Sequence, residues 1–389
     1  SVGEILQLQS SLRTLSQRRP EHQFVISTTT GTGYAVARER FPEHTVCYFP
    51  LDFTWAVKNA IARIRPDVVV LVEMELWPNF TRAVHEAGIP LALINGRLGE
   101  RSFRGYRRIR PLVRPMLERF SLLAVQTDDY ARRLIALGAP AESVHVTGSV
   151  KYDGVESDRR NPRTEALRRL FAIGPEETVF IAGSTLDSEE TLAVRAWLRV
   201  RESFPDVRLI VVPRHQERFD DVARLLSTRF ELNVVRKSRL AEPLAPDAAA
   251  DRPVILLDTL GELSACWGLA DVAFVGGSTV PPRGGQSMIE PAAYGSALLF
   301  GPDTANFEDL TDQLLAENAV AVVHNERELG TAITQLLTDA QKLHARGQAA
   351  RRIVLARGGA IERTVERLLT LHEDSAANEQ AEIARLRAA

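Results

Sequence analysis

Short apolar runs recur along the chain at 23–27 (QFVIS), 45–49 (TVCYF), 67–73 (DVVVLVE), 90–94 (PLALI), 121–126 (SLLAVQ) and 144–148 (VHVTG). Most are rich in Val, Ile and Leu without polar alternation, which suits strands buried on both faces of a parallel sheet. Amphipathic stretches such as 53–64 and 103–118 lie between them. Strand–helix repetition at this spacing predicts an open, doubly wound α/β sheet. A charged segment with two prolines, 152–177, breaks the rhythm and reads as a linker with one short helix. Strands are then expected at 178–182, 207–212, 253–257, 272–276, 297–300 and 319–323, and helices at 187–203, 217–230, 286–294 and 305–316. The segment 238–252 reads as a loop, and 325–371 as helices packed on the end of the second domain. The expected organisation is therefore a domain over 1–151, the linker, a domain over 178–372 and a polar tail over 373–389. Ligands of such sheets bind beyond the carboxyl ends of the strands, so two facing sheets predict a site in a cleft between domains.

Composition narrows the partners. The 389 residues are 45% hydrophobic and 25% charged with net charge −2, so nothing global points to nucleic acid. Two distant cysteines, Cys47 and Cys266, give no disulfide framework, and the eight histidines form no metal-ligand cluster. No apolar run reaches the roughly 18 residues of a membrane span.

Several stretches are candidates for chemistry. The chain opens on Ser1-Val2-Gly3-Glu4, which matches a capping box followed by an apolar helical stripe at Ile5, Leu8, Leu12 and Leu15. Glu4 is then a helix-capping residue or a base. In 72–79 (VEMELWPN), Glu73 and Glu75 sit where a strand gives way to a helix. Acids beside an apolar run need partners; one acid is explained by a helix first turn, two less well. In 275–302 a strand ends in Gly276-Gly277-Ser278, and a proline- and glycine-bearing loop leads to a helix starting near Gln286 and carrying Glu290. Glycines before a helix N-terminus let backbone N–H groups approach a nucleotide phosphate, and Glu290 is placed to accept from ribose hydroxyls; the alternative is a plain connecting turn. Arg214 follows a strand in 211–215 (VVPRH), where it suits a phosphate or a surface ion pair. Ser184, after Gly183, is a phosphate donor or a helix cap. Finally, 97–119 holds eight arginines against two glutamates, interleaved with Phe103, Tyr106, Ile109, Leu112, Val113 and Met116. Such a segment reads as binding an acidic surface such as phosphorylated lipid, or as a solvated helix face. The usual nucleic-acid modules are absent.

SVGE at 1–4, ELWPN at 75–79, NGRLGERS at 95–102, VTGSVKYD at 146–153, VPRH at 212–215, DTLGEL at 258–263, FVGGSTV at 274–280, GGQSMIEPAAYG at 284–295 and GP at 301–302 stand in an order that resembles the 3-deoxy-D-manno-octulosonic acid (Kdo) transferases. The likeness runs from residue 1 to about residue 310. It implies a GT-B fold, two Rossmann-like domains facing a cleft. It implies inverting transfer of Kdo from CMP-Kdo to a hydroxyl of a phosphorylated lipid A precursor in lipopolysaccharide biosynthesis, with no metal site and no cofactor in the protein. It also implies an enzyme at the cytoplasmic face of the bacterial inner membrane, whose N-terminal anchor and first strand are expected to be missing here. On this resemblance Glu4 falls on the catalytic base. Glu73 and Glu75, with Arg97 and Arg101, fall on the acceptor side. Lys151, Ser184, Arg214, Gly277, Ser278, Gln286, Ser287 and Glu290 form the nucleotide-binding set. Gln286-Ser287 departs from the His-Asn found in many members; neither side chain carries charge as His can.

Two other functions fit paired α/β domains. One is a GT-B enzyme using a UDP- or GDP-sugar. The other is a two-domain protein that closes on a ligand without chemistry.

Overall fold

The computed structural model describes residues 2–174, 176–245 and 251–388. The first six strands are β1 (Val25–Thr28), β2 (Thr45–Tyr48), β3 (Val69–Val72), β4 (Leu91–Gly96), β5 (Leu122–Val125) and β6 (Val144–Val146). β1 pairs with β2, and β3 to β6 form a second sheet in sequential order, all parallel. Every position of β4 and β5 is buried, as continuous apolar runs demand. β1 instead alternates exposed and buried: Ile26 and Thr28 face inward, and Ile26 packs with Ile5, Leu12, Ala37 and Phe41, from two helices and the cap of the second.

The remaining strands are β7 (Val179–Thr185), β8 (Arg208–Pro213), β9 (Val234–Arg236), β10 (Val254–Leu256), β11 (Val272–Val275), β12 (Ala297–Phe300) and β13 (Val320–Val322). They form one parallel sheet in the order β13-β12-β11-β7-β8-β10-β9. Strand order reverses between β7 and β11, so the loops leaving these two strands flank the crevice where such sheets take ligands. β9 was not legible in sequence. It is three half-buried edge residues, too short for a pattern.

The chain divides into two compact units, Ser1–Asp153 with Arg357–Ala389, and Gly154–Ala356. Two expected boundaries are thereby corrected. The helix Pro162–Leu170, expected in a linker, belongs to the second unit: Asn161 caps it, and the Thr164 hydroxyl donates to Ala265 O at 2.8 Å. The helix Ala360–Ala388, expected to pack on the second domain and end in a tail, returns to the first unit. Its Leu368 and Leu371 pack against Ala92, Ile94, Leu122 and Ala124, and Asp153 accepts the N–H groups of Gly359, Ala360 and Ile361 at its start. The expected helix 103–118 is two helices, Glu100–Arg108 and Arg110–Leu117, broken at Ile109, since Pro111 has no N–H to continue the ladder of the first and suits the start of the second.

Among the described residues, no helix is long and apolar enough to cross a membrane and no group of His, Cys, Asp and Glu is arranged to hold a metal ion. Cys47 and Cys266 are both free thiols. Burial raises the pKa of each.

Candidate active site

In the first unit the candidate residues gather at the carboxyl ends of β3, β4 and β6. Glu73 and Glu75 leave β3, Arg97 follows β4, and Lys151 lies in the turn Val150–Tyr152 after β6. Glu4 is in the first turn of the helix Val2–Arg18. Ser1, the other half of the capping box, lies outside the described residues.

The other four charges act on Glu73. Burial pushes the Glu73 carboxyl up, and the negative charges of Glu4 and Glu75 push it further, while Lys151 and Arg97 pull it down. Burial lowers the Lys151 ammonium, as does neighbouring Arg97, and Glu73 opposes both. Glu73 is thus a half-buried acid whose proton affinity is set by burial and by the charges beside it, a pattern common where acid–base chemistry is done. The backbone at Glu73 is strained. Glu73 has φ +61°, a left-handed backbone unusual for a residue with a side chain, fixed by its N–H donating to Ile94 O at 2.9 Å.

The helix-first-turn explanation of Glu75 does not hold. That helix is Pro78–Glu86, with Pro78 at its start and no acid in its first turn. Its N-terminus is served by Asp52, whose carboxylate accepts from Asn79 N at 3.2 Å and Phe80 N at 2.8 Å. Glu75 is left half-buried ahead of the helix, beside Glu73. Arg101 is exposed on the helix Glu100–Arg108.

Sequence reasoning missed the residues that hold this cluster together. Asn95, buried at the end of β4 with φ +52°, donates to Gln7 Oε1 at 2.8 Å. Gln126 Nε2 donates at 3.1 Å to both the carbonyl and the side-chain oxygen of Asn95. Gln7 lies one turn beyond Glu4 on the same helix. A polar residue closing an otherwise apolar strand was the available signal.

In the second unit Ser184 lies at the end of β7, Arg214 follows β8, and the buried loop Gly276-Gly277-Ser278 follows β11, so all stand at the carboxyl ends of the parallel strands. Ser184 has φ +54°, and exposed Arg214 donates its N–H to Thr185 O at 2.9 Å. The glycine loop departs from expectation. Its N–H groups do not wait for a phosphate: those of Gly277, Ser278 and Thr279 donate to the carboxylate of Glu189, which is 2% exposed. The Ser278 hydroxyl is also internal, donating to Val275 O at 2.7 Å and accepting from Gly301 N at 2.7 Å.

The following loop is laced to the first. Gly285 N donates to Gly277 O, and Gln286 N to Gly276 O. The next helix is only Ile289–Ala293, beginning three residues later than expected, so Glu290 stands in its first turn. Gln286 and Ser287 are half-buried ahead of it. Burial raises the Glu290 carboxyl, and a hydrogen bond from Ser264 moderates the rise.

The family model described as 3-Deoxy-D-manno-octulosonic-acid transferase (kdotransferase) matches residues 1–154. The 3-deoxy-D-manno-octulosonic acid transferase of Haemophilus influenzae is 30% identical over 370 residues, 95% of this chain and 84% of that one. Its counterpart in Bordetella pertussis is 30% identical over 380 residues, 95% of this chain and 85% of that one. Among solved structures, the UDP-GlcNAc 2-epimerase from Neisseria meningitidis bound to UDP-GlcNAc superposes with TM-score 0.64 at 14% identity, covering 95% of this chain and 98% of that one. This last likeness shows the fold alone, two Rossmann-like units of the GT-B type.

Proposed function

The chain belongs to the 3-deoxy-D-manno-octulosonic acid transferase family, a family of glycosyltransferases, and from that premise we propose that it moves Kdo from CMP-Kdo to a hydroxyl of a phosphorylated lipid A precursor, inverting the anomeric centre. The observation that carries the reading is the charge cluster of Glu4, Glu73, Glu75, Arg97 and Lys151. An inverting transfer needs a base for the acceptor hydroxyl and cations for anionic substrates, and this cluster holds both.

In the proposed mechanism Glu4 takes the proton of the acceptor hydroxyl as its oxygen attacks the anomeric carbon. The bond from that carbon to the CMP phosphate breaks, and CMP leaves with the electron pair. Arg214 and Ser184, with Gln286 and Ser287, are the proposed partners of the nucleotide phosphate. Glu290 is the proposed partner of the ribose. Gly277 and Ser278 shape the loop, since their amides are already bonded to Glu189. Lys151 and Arg97, acting on Glu73, balance the acids and meet the anionic groups of the substrates. Arg101 extends the cationic surface toward the acceptor phosphates.

The acceptor is a lipid, and the segment 97–119 suits a membrane surface at the cytoplasmic face of the inner membrane. Seven of its arginines are exposed, at 97, 101, 104, 107, 108, 110 and 114. Leu112 and Ile109 stand between them with 71% and 47% exposure. Cations flanking exposed apolar side chains favour an anionic lipid interface.

Titration of the melting temperature with CMP, UMP, UDP and GDP tests the donor class. A nucleotide that binds only the folded chain raises the melting point according to its affinity. A rise with CMP alone is expected. A rise with UDP or GDP and none with CMP would turn the reading to another sugar nucleotide.

A further inference from the structure

The carboxylate of Glu189 receives five hydrogen bonds. Oε2 accepts from Leu186 N at 2.8 Å and Gly277 N at 2.7 Å. Oε1 accepts from Ser278 N at 3.1 Å, Thr279 N at 3.2 Å and the Thr279 hydroxyl at 2.8 Å. A carboxylate has about four lone-pair sites, so this one is saturated. Successive backbone N–H groups converging on one point make an anion-binding nest. Here the anion is part of the chain.

The donors come from both sides of the strand reversal. Leu186 follows β7, and Gly277 to Thr279 follow β11. The fit leaves no slack, because a Cβ at Gly276 would lie 2.7 Å from Glu189 Oε2 and 2.6 Å from Ser184 O. Gly277, at φ +68°, takes a backbone that side chains rarely adopt. The adjacent Glu190 anchors the other flank, accepting from the Thr185 hydroxyl at 2.8 Å and from Arg218 at 2.7 Å. The helix start at Glu189–Glu190 is therefore a two-carboxylate bracket, and its dipole favours both charges.

We infer that Glu189 is a positioning residue for the sugar nucleotide: its carboxylate fills the nest of the glycine loop and fixes the loops after β7 and β11 in the shape the donor phosphate meets. This rests on the reading of that crevice as the donor site. The substrate phosphate consequently does not occupy the Gly277–Thr279 amides. It meets a surface set from beneath by the protein's own anion.

The test uses the full chain carrying Glu189→Ala, with formate as a substitute for the missing carboxylate and chloride at equal ionic strength as control. Misplacing a binding loop by about 1 Å costs up to about 10²-fold. The expected result is a KM for CMP-Kdo raised by about 10- to 100-fold with a smaller change in kcat, and recovery by formate but not chloride. Wild type is indifferent to formate. Hydrogen exchange over 276–280 reads the loop without any ligand: the variant exchanges faster, and formate restores protection. Glu189→Gln, which keeps the size and turns an amide N–H toward the donors, serves if the alanine variant does not fold. A folded variant with wild-type KM and wild-type exchange overturns the inference. A wild-type chain that ignores CMP, with exchange still dependent on Glu189, overturns the donor reading and leaves the bracket standing.

Discussion

Asn95 Nδ2 donates to Gln7 Oε1 at 2.8 Å, and that bond joins the helix bearing Glu4 to the end of β4, where Arg97 begins its turn. Asn95→Ala removes it and strips Gln126 of its acceptor side chain, at a cost to stability of about 1–3 kcal/mol. If the bond aims Glu4, kcat falls by about tenfold, equivalent to about 1.4 kcal/mol of barrier, while the CMP-induced melting shift is unchanged. Steady-state kinetics beside the CMP titration check this. Equal kcat in a folded Asn95→Ala chain would show that the bond only stabilises.

Glu4→Gln keeps the shape of the side chain and removes the base. Transfer is expected to fall by about 10²–10⁴-fold with CMP binding intact. Retained transfer would assign Glu4 to the helix first turn alone.

Glu73 ties pH to stability. Its carboxyl holds its proton more tightly folded than unfolded, because burial and the charge of Glu4 disfavour ionisation. Its favourable contribution is fully present below the unfolded value of about 4.5 and is lost as pH rises through the raised folded value. Above that raised value the ionised form weighs against folding. Glu73→Gln should melt slightly higher than wild type at pH 7.5, by about 1–2 °C, and lose that advantage near pH 4.5. Its transfer rate should drop. A lower melting point at pH 7.5 would contradict the sign.

Arg218 pairs with Glu190, which is fully buried. Arg218→Ala leaves that carboxylate with the Thr185 hydroxyl and no cation, and should cost about 3 kcal/mol. Adding Glu190→Gln should recover part of the loss, because the uncompensated charge is gone. Denaturant unfolding of the single and double variants decides it; no recovery would mean that packing, not charge, sets the cost.

Leu112→Glu places a negative charge among the exposed arginines of 97–119. Binding to vesicles containing anionic phospholipid should weaken several-fold, with the melting point unchanged because Leu112 is 71% exposed. Unaltered vesicle binding would remove this segment from the proposed membrane face.

The parallel strands were legible because continuous Val, Ile and Leu runs have few alternatives. β4, β5, β7 and β8 lie within a few residues of expectation. The charged residues near Glu73 were legible as an oddity, two acids where an apolar run ends. What sequence did not reveal was occupancy. The pattern Gly276-Gly277-Ser278 correctly marks a backbone nest, but nothing in the linear order says that Glu189, some 88 residues earlier, fills it. The helix expected from 286 starts later for a related reason. The amides of Gly285 and Gln286 bond across to the first loop, which delays the helix to Ile289. The destination of 360–388 was hidden because an apolar stripe states that a helix is covered and not by what.

That returning helix orders events during synthesis. Leu368 and Leu371 complete the layer over Ala92, Ile94, Leu122 and Ala124, yet about 200 intervening residues leave the ribosome first. The second unit is contiguous and has all its strands available before the first unit receives its final helix. Domains fold as units while the chain emerges. The earlier-translated half therefore waits with an apolar face only partly covered, by Leu8 and Leu15 of its first helix, until its closing segment arrives, and the later-translated half is the first able to finish.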